Sequence, residues 1–531
     1  MHNPFQAAAE ANASAEQSSA ISGVPQILYI HPSKQGVDFD PGRLPMGRPY
    51  GLIPVGVIAL ANLLAEHGFK VCGLNYPLER LLNRQFSLRE WLRGQQQARL
   101  VMIDLHWYEH CYGAIHTAKV CKEELPHALT LLGGLTASAY AKEILRDFPF
   151  VDLIIRGDAE KPLLELVQRL LGDAGTSRDP AGLLGNLDLR TIPNLSYRLG
   201  GEIIENERSY CATEADLDRL NFVDMGFLEH YERYYRHQYT IPGPPQDFDP
   251  ETISGHFLSI SRGCDRDCSY CGGSRSAHKV LAGRDGIVAR SPAKVAEDLK
   301  RLAEMGIKQV SFTFDVVMLG EAYWRELFAQ MDQQRVRIGL VNEFYQLPPD
   351  TFIVEFAKRV VMKHSCVALS PLSGAERVRR LNGKTFSNEE FWHTLTVLKE
   401  YSVPLLVYFS LNLPGETEQT FEKALALAER VYSFYPLHLL RIINSYHTLD
   451  PLSPMSLHPE KYGIEVSMSS FADFYKYCQL TCCNEPGART GMHRGYKSVG
   501  PRVGSLQAMA DKWDARSVGR EMNWAPLPPG W

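Results

Sequence analysis

The sequence has no hydrophobic run that approaches the roughly 18 residues needed to cross a bilayer. It also lacks a positive charge surplus, since its formal net charge is −5. A surface of this kind gives no electrostatic reason to bind nucleic acid or an anionic membrane. The first 23 residues are rich in Ala, Ser and Gln and have neither a basic nor an apolar signal region. We therefore expect a disordered tail at 1–23, and neither a membrane nor a nucleic-acid partner.

The cysteines lack the pattern of a disulfide framework. There are eleven of them, an odd number without regular spacing. This indicates a reducing compartment, and we expect a cytoplasmic protein. The length of 531 residues predicts two or three domains, and 45% hydrophobic residues are enough to build their cores.

Three cysteines are concentrated in one short loop, Ser261–Gly273. Cys264, Cys268 and Cys271 follow the spacing C-x3-C-x2-C. Soft sulfur ligands suit iron–sulfur and zinc sites, and three thiolates would leave one iron of a [4Fe–4S] cube open. A zinc site would need a fourth ligand, and the nearest histidines lie outside the usual ligand spacing. A disulfide or chance clustering are the remaining alternatives, and we favour the open-iron cluster.

The stretch 24–172 alternates short apolar runs with helical periods. Such alternation predicts a parallel, doubly wound sheet, whose ligands lie at the carboxyl ends of the strands. The predicted strands are Gln26–His31, Lys70–Leu74, Leu100–Leu105, Ala128–Leu132 and Val151–Ile155. The predicted helices are Pro54–Glu66, Gly113–Glu124, Ser138–Arg146 and Glu160–Leu171. A glycine-rich loop follows the fourth strand and offers the hydroxyls of Thr136 and Ser138 at a helix start.

The rest of the chain divides into three parts. Residues 173–250 are irregular and rich in Gly and Pro, which predicts a linker. Residues 251–450 contain six strand–helix units, two fewer than a closed eight-stranded barrel. Residues 451–531 have weak periodicity and are expected to cap the barrel and select the substrate. The predicted barrel strands are Phe257–Ser261, Gln309–Phe314, Val336–Val341, His364–Ser370, Pro404–Leu411 and Leu437–Ile443.

The cysteine loop, with an aromatic residue before its third cysteine, resembles the signature of the radical S-adenosylmethionine (SAM) superfamily. In that family SAM chelates the open iron, and its reductive cleavage gives a 5′-deoxyadenosyl radical. The doubly wound domain with its strand-GG-x-T loop is similar to that of the cobalamin-dependent branch. The resemblance implies an α/β chain with an N-terminal Rossmann-like cobalamin-binding domain, a partial (β/α)6 radical SAM barrel and a C-terminal extension. Its cofactors would be a [4Fe–4S] cluster, SAM and cobalamin.

The same resemblance implies the cofactor contacts. Cobalamin is expected at Gly133, Gly134, Thr136 and Ser138. The histidine motif D-x-H-x-x-G of many cobalamin domains is incomplete here, because Asp104-Leu105-His106 lacks the following Gly. We therefore expect no histidine ligand on cobalt. SAM is expected at Tyr270, Gly272, Asp315, Ser370, Arg377 and Asn412, the last of which begins an LPGE-like turn.

The resemblance implies a methyltransferase that passes a methyl group from SAM, via methylcobalamin, to a carbon of a small-molecule or carrier-bound natural product. An electron donor of the flavodoxin or ferredoxin type would be its partner. The alternatives are an oxidative cyclase of the same architecture and a non-catalytic SAM- or cobalamin-sensing module. The spacing C-x3-C-C at Cys478, Cys482 and Cys483 is interpreted as ordinary thiols. No catalytic base is assigned, although Tyr323, Trp324, Glu343 and Tyr345 lie near strand ends.

Overall fold

A computed structural model describes residues 25–37, 52–173, 184–185, 187–240, 253–482, 495–499 and 506–517. The predicted tail at 1–23 and Cys483 lie outside the described residues. The helix that contains Cys482 is described, but the side chain of Cys482 is not.

The N-terminal part forms a seven-stranded sheet in the order β2-β1-β3-β4-β5-β6-β7. The first five strands are parallel and β6 and β7 are antiparallel. All five predicted parallel strands are present, because strands buried on both faces give continuous apolar runs. The strands are β1 Ile27–His31, β2 Val71–Asn75, β3 Leu100–Asp104, β4 Leu129–Gly133, β5 Leu153–Ile155, β6 Leu195–Leu199 and β7 Glu202–Glu205.

Helices cover both faces of this sheet. Two of them were not predicted, and their N-caps are Asn75 and Ser87, whose side chains accept backbone N–H bonds. The single helix predicted at 138–146 is two helices, which meet at Tyr140. The helices are α1 Val55–Glu66, α2 Tyr76–Leu82, α3 Leu88–Arg93, α4 Cys111–Glu124, α5 Leu135–Ala139, α6 Ala141–Asp147 and α7 Glu160–Gln168.

The hairpin β6–β7 lies in the stretch that the sequence analysis interpreted as a linker. It extends the N-terminal sheet by pairing with β5, so this segment is not merely a connection. Gly200 and Gly201 both have positive φ angles and form the two-residue turn. A Gly-Gly pair between two strands is a hairpin signal, because such turns need positive φ at both positions. Two short helices follow, α8 Glu214–Arg219 and α9 Tyr231–His237.

The second sheet has six parallel strands in the order β15-β14-β13-β12-β11-β8. The six predicted units are all present, and the predicted α/β class with a partial barrel is confirmed. The strands are β8 Gly255–Leu258, β11 Gln309–Phe312, β12 Gly339–Phe344, β13 Cys366–Leu372, β14 Leu405–Leu411 and β15 Leu440–Tyr446. The helices around them are α10 Arg275–Ala282, α11 Pro292–Glu304, α12 Glu321–Gln333, α13 Asp350–Arg359, α14 Glu376–Leu381, α15 Asn388–Glu400 and α16 Glu418–Phe434.

The sequence predicts that the first barrel strand runs straight into the cysteine loop, and the structure shows that it does not. β8 ends at Leu258, and a separate strand, β9 Ser261–Cys264, carries the chain to the first cysteine. β9 pairs with β10 Gly286–Ala289 in an antiparallel hairpin. The cysteine loop and α10 therefore both lie between the two strands of this hairpin in the sequence.

The C-terminal segment contacts both sheets. Helix α18 Phe471–Cys482 packs on α4, where Phe474 and Phe471 contact Tyr140 and Phe148 of the N-terminal part. Helix α19 Leu506–Ser517 lies on the barrel, with Trp513 against Phe409. The segment also contains α17 Pro454–Leu457 and β16 Ile464–Val466, which precede α18, and β17 Tyr496–Ser498, which follows α18 and pairs with β16 in antiparallel orientation. None of the helices in the described residues is long and apolar enough to cross a membrane.

Replacing Phe474 by Ala should destabilise the folded chain by about 3–5 kcal/mol, the usual cost of removing a buried aromatic side chain. Phe474 is fully buried, whereas Leu480 on the same helix is 42% exposed. Leu480→Ala is therefore the matched control and should change stability by less than about 0.5 kcal/mol. Urea unfolding followed by circular dichroism measures both. Equal effects of the two variants would contradict the packing described for α18.

Candidate functional site

The three cysteines lie in one compact loop that backbone hydrogen bonds hold together. Cys271 N–H donates to Cys268 O at 3.1 Å, and Arg275 N–H donates to Arg266 O at 2.8 Å. Two further backbone N–H groups point at sulfur, since Arg266 donates to Cys264 Sγ at 3.4 Å and Gly273 donates to Cys271 Sγ at 3.3 Å. N–H groups directed at sulfur stabilise thiolates, and hydrogen bonds to sulfur tune iron–sulfur clusters.

The thiols form one electrostatic group. Burial raises the pKa of Cys264 and Cys268, and burial together with Asp450 raises the pKa of Cys271 to about 12. Cys264 and Cys268 also raise the pKa of Cys271, so the three sulfur atoms lie near one another. Protons are thus retained unless a metal replaces them. In the described residues no three His, Cys, Asp or Glu side chains form a site for a single ion. In an iron–sulfur cluster each cysteine binds a different iron, and these three soft sulfur donors fit such a cluster.

The loop packs closely against the turn after α14. A Cβ atom on Gly383 would lie 3.0 Å from Cys268 Sγ, and Gly383 also has a φ of +95°. Only glycine fits this position without moving the loop. Ser269 donates its hydroxyl hydrogen to the Asn382 side chain in the same turn. The barrel therefore supports one side of the cysteine loop through the turn that follows α14.

The C-terminal segment covers the loop from the other side. Gly272 N–H donates to the Asp450 carboxylate at 3.1 Å, and Met455 N–H donates to Ser269 O at 2.9 Å. The ring of Tyr270 stacks on His447, with centroids 4.3 Å apart. Burial, with a contribution from Glu109, raises the pKa of Asp450 to about 7. Of the SAM candidates in the loop, Tyr270 and Gly272 are both held by residues that follow β15.

Asp315 and Ser370 lie at the ends of β11 and β13. The Asp315 carboxylate accepts N–H bonds from Val317 at 3.0 Å and Tyr345 at 2.8 Å, so it caps a short helical turn. Burial raises its pKa to about 6, although these N–H bonds oppose the rise. Ser370 is buried where the pairing of β13 with β14 shifts register.

Arg377 and Asn412 meet at the LPGE-like turn. Arg377 donates to Gly415 O at 3.2 Å, so it supports the turn. Asn412 has a φ of +56°, and its side-chain oxygen is buried without a hydrogen-bond partner among the described residues. Glu416 is also buried, and neither of its carboxylate oxygens has a hydrogen-bond partner of normal geometry among the described residues. Burial raises its pKa to about 8, against the effect of nearby N–H groups. These unpaired polar atoms fit a polar ligand.

The glycine-rich loop of the N-terminal sheet is tightly packed on one side and open on the other. A Cβ on Gly134 would lie 2.6 Å from His106 Cα, whereas a Cβ on Gly133 would meet nothing within 4 Å. The Thr136 hydroxyl donates to His106 O at 3.0 Å, and the Ser138 hydroxyl donates to Gly134 O at 2.7 Å. Both hydroxyls thus shape the loop, and the open edge at Gly133 is the part that fits a ligand.

This glycine-rich loop faces the cysteine loop. Helix α10, which follows the cysteines, packs on α5, which follows the glycines. Burial lowers the pKa of His106 to about 4, and His278 of α10 contributes to this shift. Gly157 at the next strand end lies against Ala282. The carboxyl ends of the N-terminal strands therefore face the cysteine hairpin directly.

A buried ion network joins the two parts. Asp158 and Glu160 follow β5, and both bind Arg262 of β9, with Arg262 Nη1 at 3.1 Å from Asp158 Oδ1. Arg284, beside β10, binds the other oxygen of Asp158, which also accepts the Ala212 N–H at 2.8 Å. Burial would raise the pKa of Asp158, but Arg262 and Arg284 outweigh burial, and the net shift is downward.

The inner face of the barrel carries a polar patch above an apolar floor. The floor consists of Val341, Cys366, Ala368, Leu406 and Ile443. Above it, Thr313 and Glu343 are exposed although they lie at the ends of neighbouring central strands. Glu343 faces the open interior of the barrel, whose surrounding walls partly desolvate it and raise its pKa, and Lys384 opposes this shift. The charge of Glu343 raises the pKa of both Tyr345 and Tyr408, so their hydroxyl groups lie near its carboxylate.

Several of these residues had no signal in the sequence. Asp450, His447 and Lys384 reach the loop from distant segments, and no local motif marks them. Glu343 was only one of four unassigned strand-end residues. Of the other three, Trp324 is buried in the helix layer, Tyr323 donates to Arg290 O, and Tyr345 is near the cysteines. The alternation along β12 separates Glu343 from the outward-facing Leu340 and Phe344.

Residues 258–428 match the family model of the radical SAM superfamily. The chain carries a radical SAM domain. Among curated proteins, an anaerobic magnesium-protoporphyrin IX monomethyl ester cyclase of Cereibacter sphaeroides is 24% identical over 328 residues, which is 60% of this chain and 47% of the relative. An uncharacterized methyltransferase of Pyrococcus horikoshii is 23% identical over 323 residues, 60% of this chain and 62% of the relative. The chain thus spans about half to three fifths of these relatives.

The radical SAM methyltransferase TsrM of Kitasatospora setae has a similar fold over nearly the whole chain. Its structure with tryptophan and a SAM analogue gives a TM-score of 0.61 at 15% identity, covering 95% of this chain and 91% of TsrM. A second TsrM structure, with cobalamin and a [4Fe–4S] cluster, gives the same TM-score at 14% identity and covers 96% of this chain and 92% of TsrM. At these identities the similarity shows a shared fold.

Replacing Asp158 by Asn should destabilise the protein by about 3–5 kcal/mol, because two buried arginines lose their shared carboxylate. The loss should be present at neutral pH, since the pKa of Asp158 is below its usual value. It should begin to shrink as the pH falls below about 4, the usual pKa of an aspartate in the unfolded chain, and disappear only below the lower pKa of Asp158 in the folded protein. Denaturant titrations between pH 3 and pH 8 measure this. Glu165→Gln, in a surface pair with Lys161, is the control and should change stability by less than about 1 kcal/mol.

Proposed function

We propose that the chain is a cobalamin-dependent radical SAM methyltransferase that methylates a carbon of a small-molecule substrate. The net transfer replaces a C–H hydrogen by the methyl group of one SAM, which leaves as S-adenosylhomocysteine. A second SAM, cleaved with two electrons from an external donor entering the overall balance, takes the hydrogen as 5′-deoxyadenosine and leaves methionine. One observation carries the proposal. The three-cysteine loop faces the open edge at Gly133, in a chain whose two sheets together have the fold of TsrM.

The residues that would hold the cofactors follow from the site. Cys264, Cys268 and Cys271 would hold the cluster, which supplies an electron for SAM cleavage when it is bound. Gly133 and Gly134, on the loop shaped by Thr136 and Ser138, would border cobalamin, which supplies a methyl carrier. No histidine is proposed on cobalt, since His106 lies under Gly134 rather than at the open edge. Asn412 and Glu416 offer unpaired polar atoms for SAM.

The chain's own residues enclose this site. The stack of Tyr270 on His447 and the bond from Gly272 to Asp450 close the cysteine loop against the C-terminal segment. Tyr270, Gly272, Asp315, Ser370 and Arg377 would shape the SAM site, Asp315 and Arg377 by holding its turns. Exclusion of water protects reactive intermediates from side reactions. The electron would come from an external donor of the flavodoxin or ferredoxin type.

A second candidate is an oxidative cyclase of the same architecture. The similarity to the Cereibacter sphaeroides cyclase favours it, because that relative matches 60% of this chain. A shared fold does not distinguish the two reactions. The similarity to the uncharacterized methyltransferase of Pyrococcus horikoshii, also over 60% of this chain, supports methyl transfer. A sensing module has no use for a radical-generating loop, and we do not favour it.

Each of Cys264→Ala, Cys268→Ala and Cys271→Ala should abolish cluster assembly, because one iron loses its only protein ligand. After anaerobic reconstitution, the absorbance at roughly 400 nm and the formation of 5′-deoxyadenosine from SAM should both be lost. Cys72→Ala is the matched control, since Cys72 lies in β2 of the N-terminal sheet. Normal iron content and SAM cleavage in Cys268→Ala would refute the assignment.

Turnover with SAM deuterated on its methyl group should give a labelled product and an equivalent of S-adenosylhomocysteine. With unlabelled SAM the product should be about 14 mass units heavier than the substrate, one added CH2. The reconstituted enzyme is incubated anaerobically with a reductant and a metabolite extract of the source, and mass shifts are read. A product two hydrogens lighter, without label and without S-adenosylhomocysteine, would establish the cyclase instead.

A further inference from the structure

Glu343 is a carboxylate without a partner inside the barrel. Its neighbours in the sheet are fixed by the register, which pairs it with Ala368 of β13. On the other side Ser311 pairs with Val341, so Thr313 lies beside Glu343. Glu343 makes no hydrogen bond or ion pair within the described part of the chain, and it is exposed to the barrel interior. Ala368 is small and leaves space next to it.

Lys384, the cation that acts on Glu343, does not form an ion pair with it. Lys384 is buried, and its ammonium group donates to Tyr345 O at 2.8 Å. It lies close enough to lower the pKa of Glu343 but forms no ion pair with it, and the partial desolvation by the barrel walls still raises that pKa. A ligand that fills the barrel interior would remove this carboxylate from water, so it would have to supply a hydrogen-bond donor in return. A protonated amine would supply charge-assisted hydrogen bonds.

Aromatic rings flank the same carboxylate. Tyr345 is fixed from both sides, since its N–H donates to Asp315 and its carbonyl accepts from Lys384. Its ring also packs edge-on against Phe314. Tyr408 lies on the inner face of β14 above the apolar floor. Rings in these positions can contact a flat apolar group and a cation together.

We propose that Glu343 is the binding subsite for a protonated amine on an aromatic substrate, with the rings of Tyr345 and Tyr408 beside the substrate ring. This subsite rests on the proposed function, since it assumes that the barrel interior receives the methyl acceptor. It goes further by naming the class of acceptor, an aromatic molecule that carries an aliphatic amine. Glu343 binds and orients the substrate in this proposal and takes part in no bond-making step. The same carboxylate could instead hold the cationic part of SAM, and the test separates the two sources.

Two probes of equal size and opposite charge test the subsite. Tryptamine and indole-3-propionate share the ring and chain length, but one ends in an ammonium group and the other in a carboxylate. Binding is measured by anaerobic calorimetry on enzyme loaded with cluster and cobalamin. The wild type should bind tryptamine about 10- to 100-fold more tightly than indole-3-propionate, the worth of one charged hydrogen bond. In Glu343→Gln the two affinities should come within about threefold, because the amide carries no charge.

Glu326→Gln is the matched control, because Glu326 is exposed on α12 and bonded only to Gln330 among the described residues. It should keep the wild-type preference. Absence of a preference for tryptamine in the wild type, or its persistence in Glu343→Gln, would overturn the subsite. Weaker SAM binding in Glu343→Gln with an unchanged probe preference would assign the carboxylate to SAM and also overturn it. If Glu343→Gln does not fold, the wild-type affinities for tryptamine and indole-3-propionate still test the subsite, because equal affinities would overturn it.

The same samples separate this proposal from the proposed function. S-adenosylhomocysteine formation from SAM reports methyl transfer independently of the probes. A charge preference that depends on Glu343, without S-adenosylhomocysteine in any assay, would leave the subsite standing and refute the methyltransferase. The opposite result would refute only the subsite.

Discussion

The carboxylate of Asp158 fixes the position of the cysteine hairpin on the N-terminal sheet. One oxygen binds Arg262 at the start of the hairpin, and the other binds Arg284 near its end. All three groups are largely removed from water, so the charges must match and their geometry must be kept. The network therefore does more than add stability. It also ties the cysteine hairpin to the strand end next to the glycine-rich loop, so that the two candidate cofactor loops lie on neighbouring elements.

The parallel strands were predictable because a strand buried on both faces needs apolar residues at every position. The hairpin of β9 and β10 was not. In β9 only four residues pair, and their sequence, Ser-Arg-Gly-Cys, has no apolar run. Its partner is β10, and Gly263 is required because a Cβ there would lie 2.1 Å from Gly286 O. The loop was therefore found by its cysteine spacing, while the strand that presents it was not.

The candidate contacts divide in a similar way. Strand-end polar residues were chosen because ligands in such folds lie at strand ends. The structure uses several of them for the backbone instead, as with Asp315 and Thr136. A cap and a ligand contact need the same short polar side chain in the same place, so sequence alone does not separate them. Asn412 differs, because its side-chain oxygen is buried and finds no partner in the described structure.

The remaining wall of the site comes from residues far apart in the chain. Asp450 and His447 follow the last barrel strand and hold Gly272 and Tyr270 of the loop. The same segment continues into α18, whose aromatic residues are buried against the N-terminal sheet. The end of the chain therefore closes the crevice between the two sheets. In the proposed function, substrate selection would therefore depend on both the inner barrel face at Glu343 and this closing segment. A change in either one alters the shape of the same enclosed space.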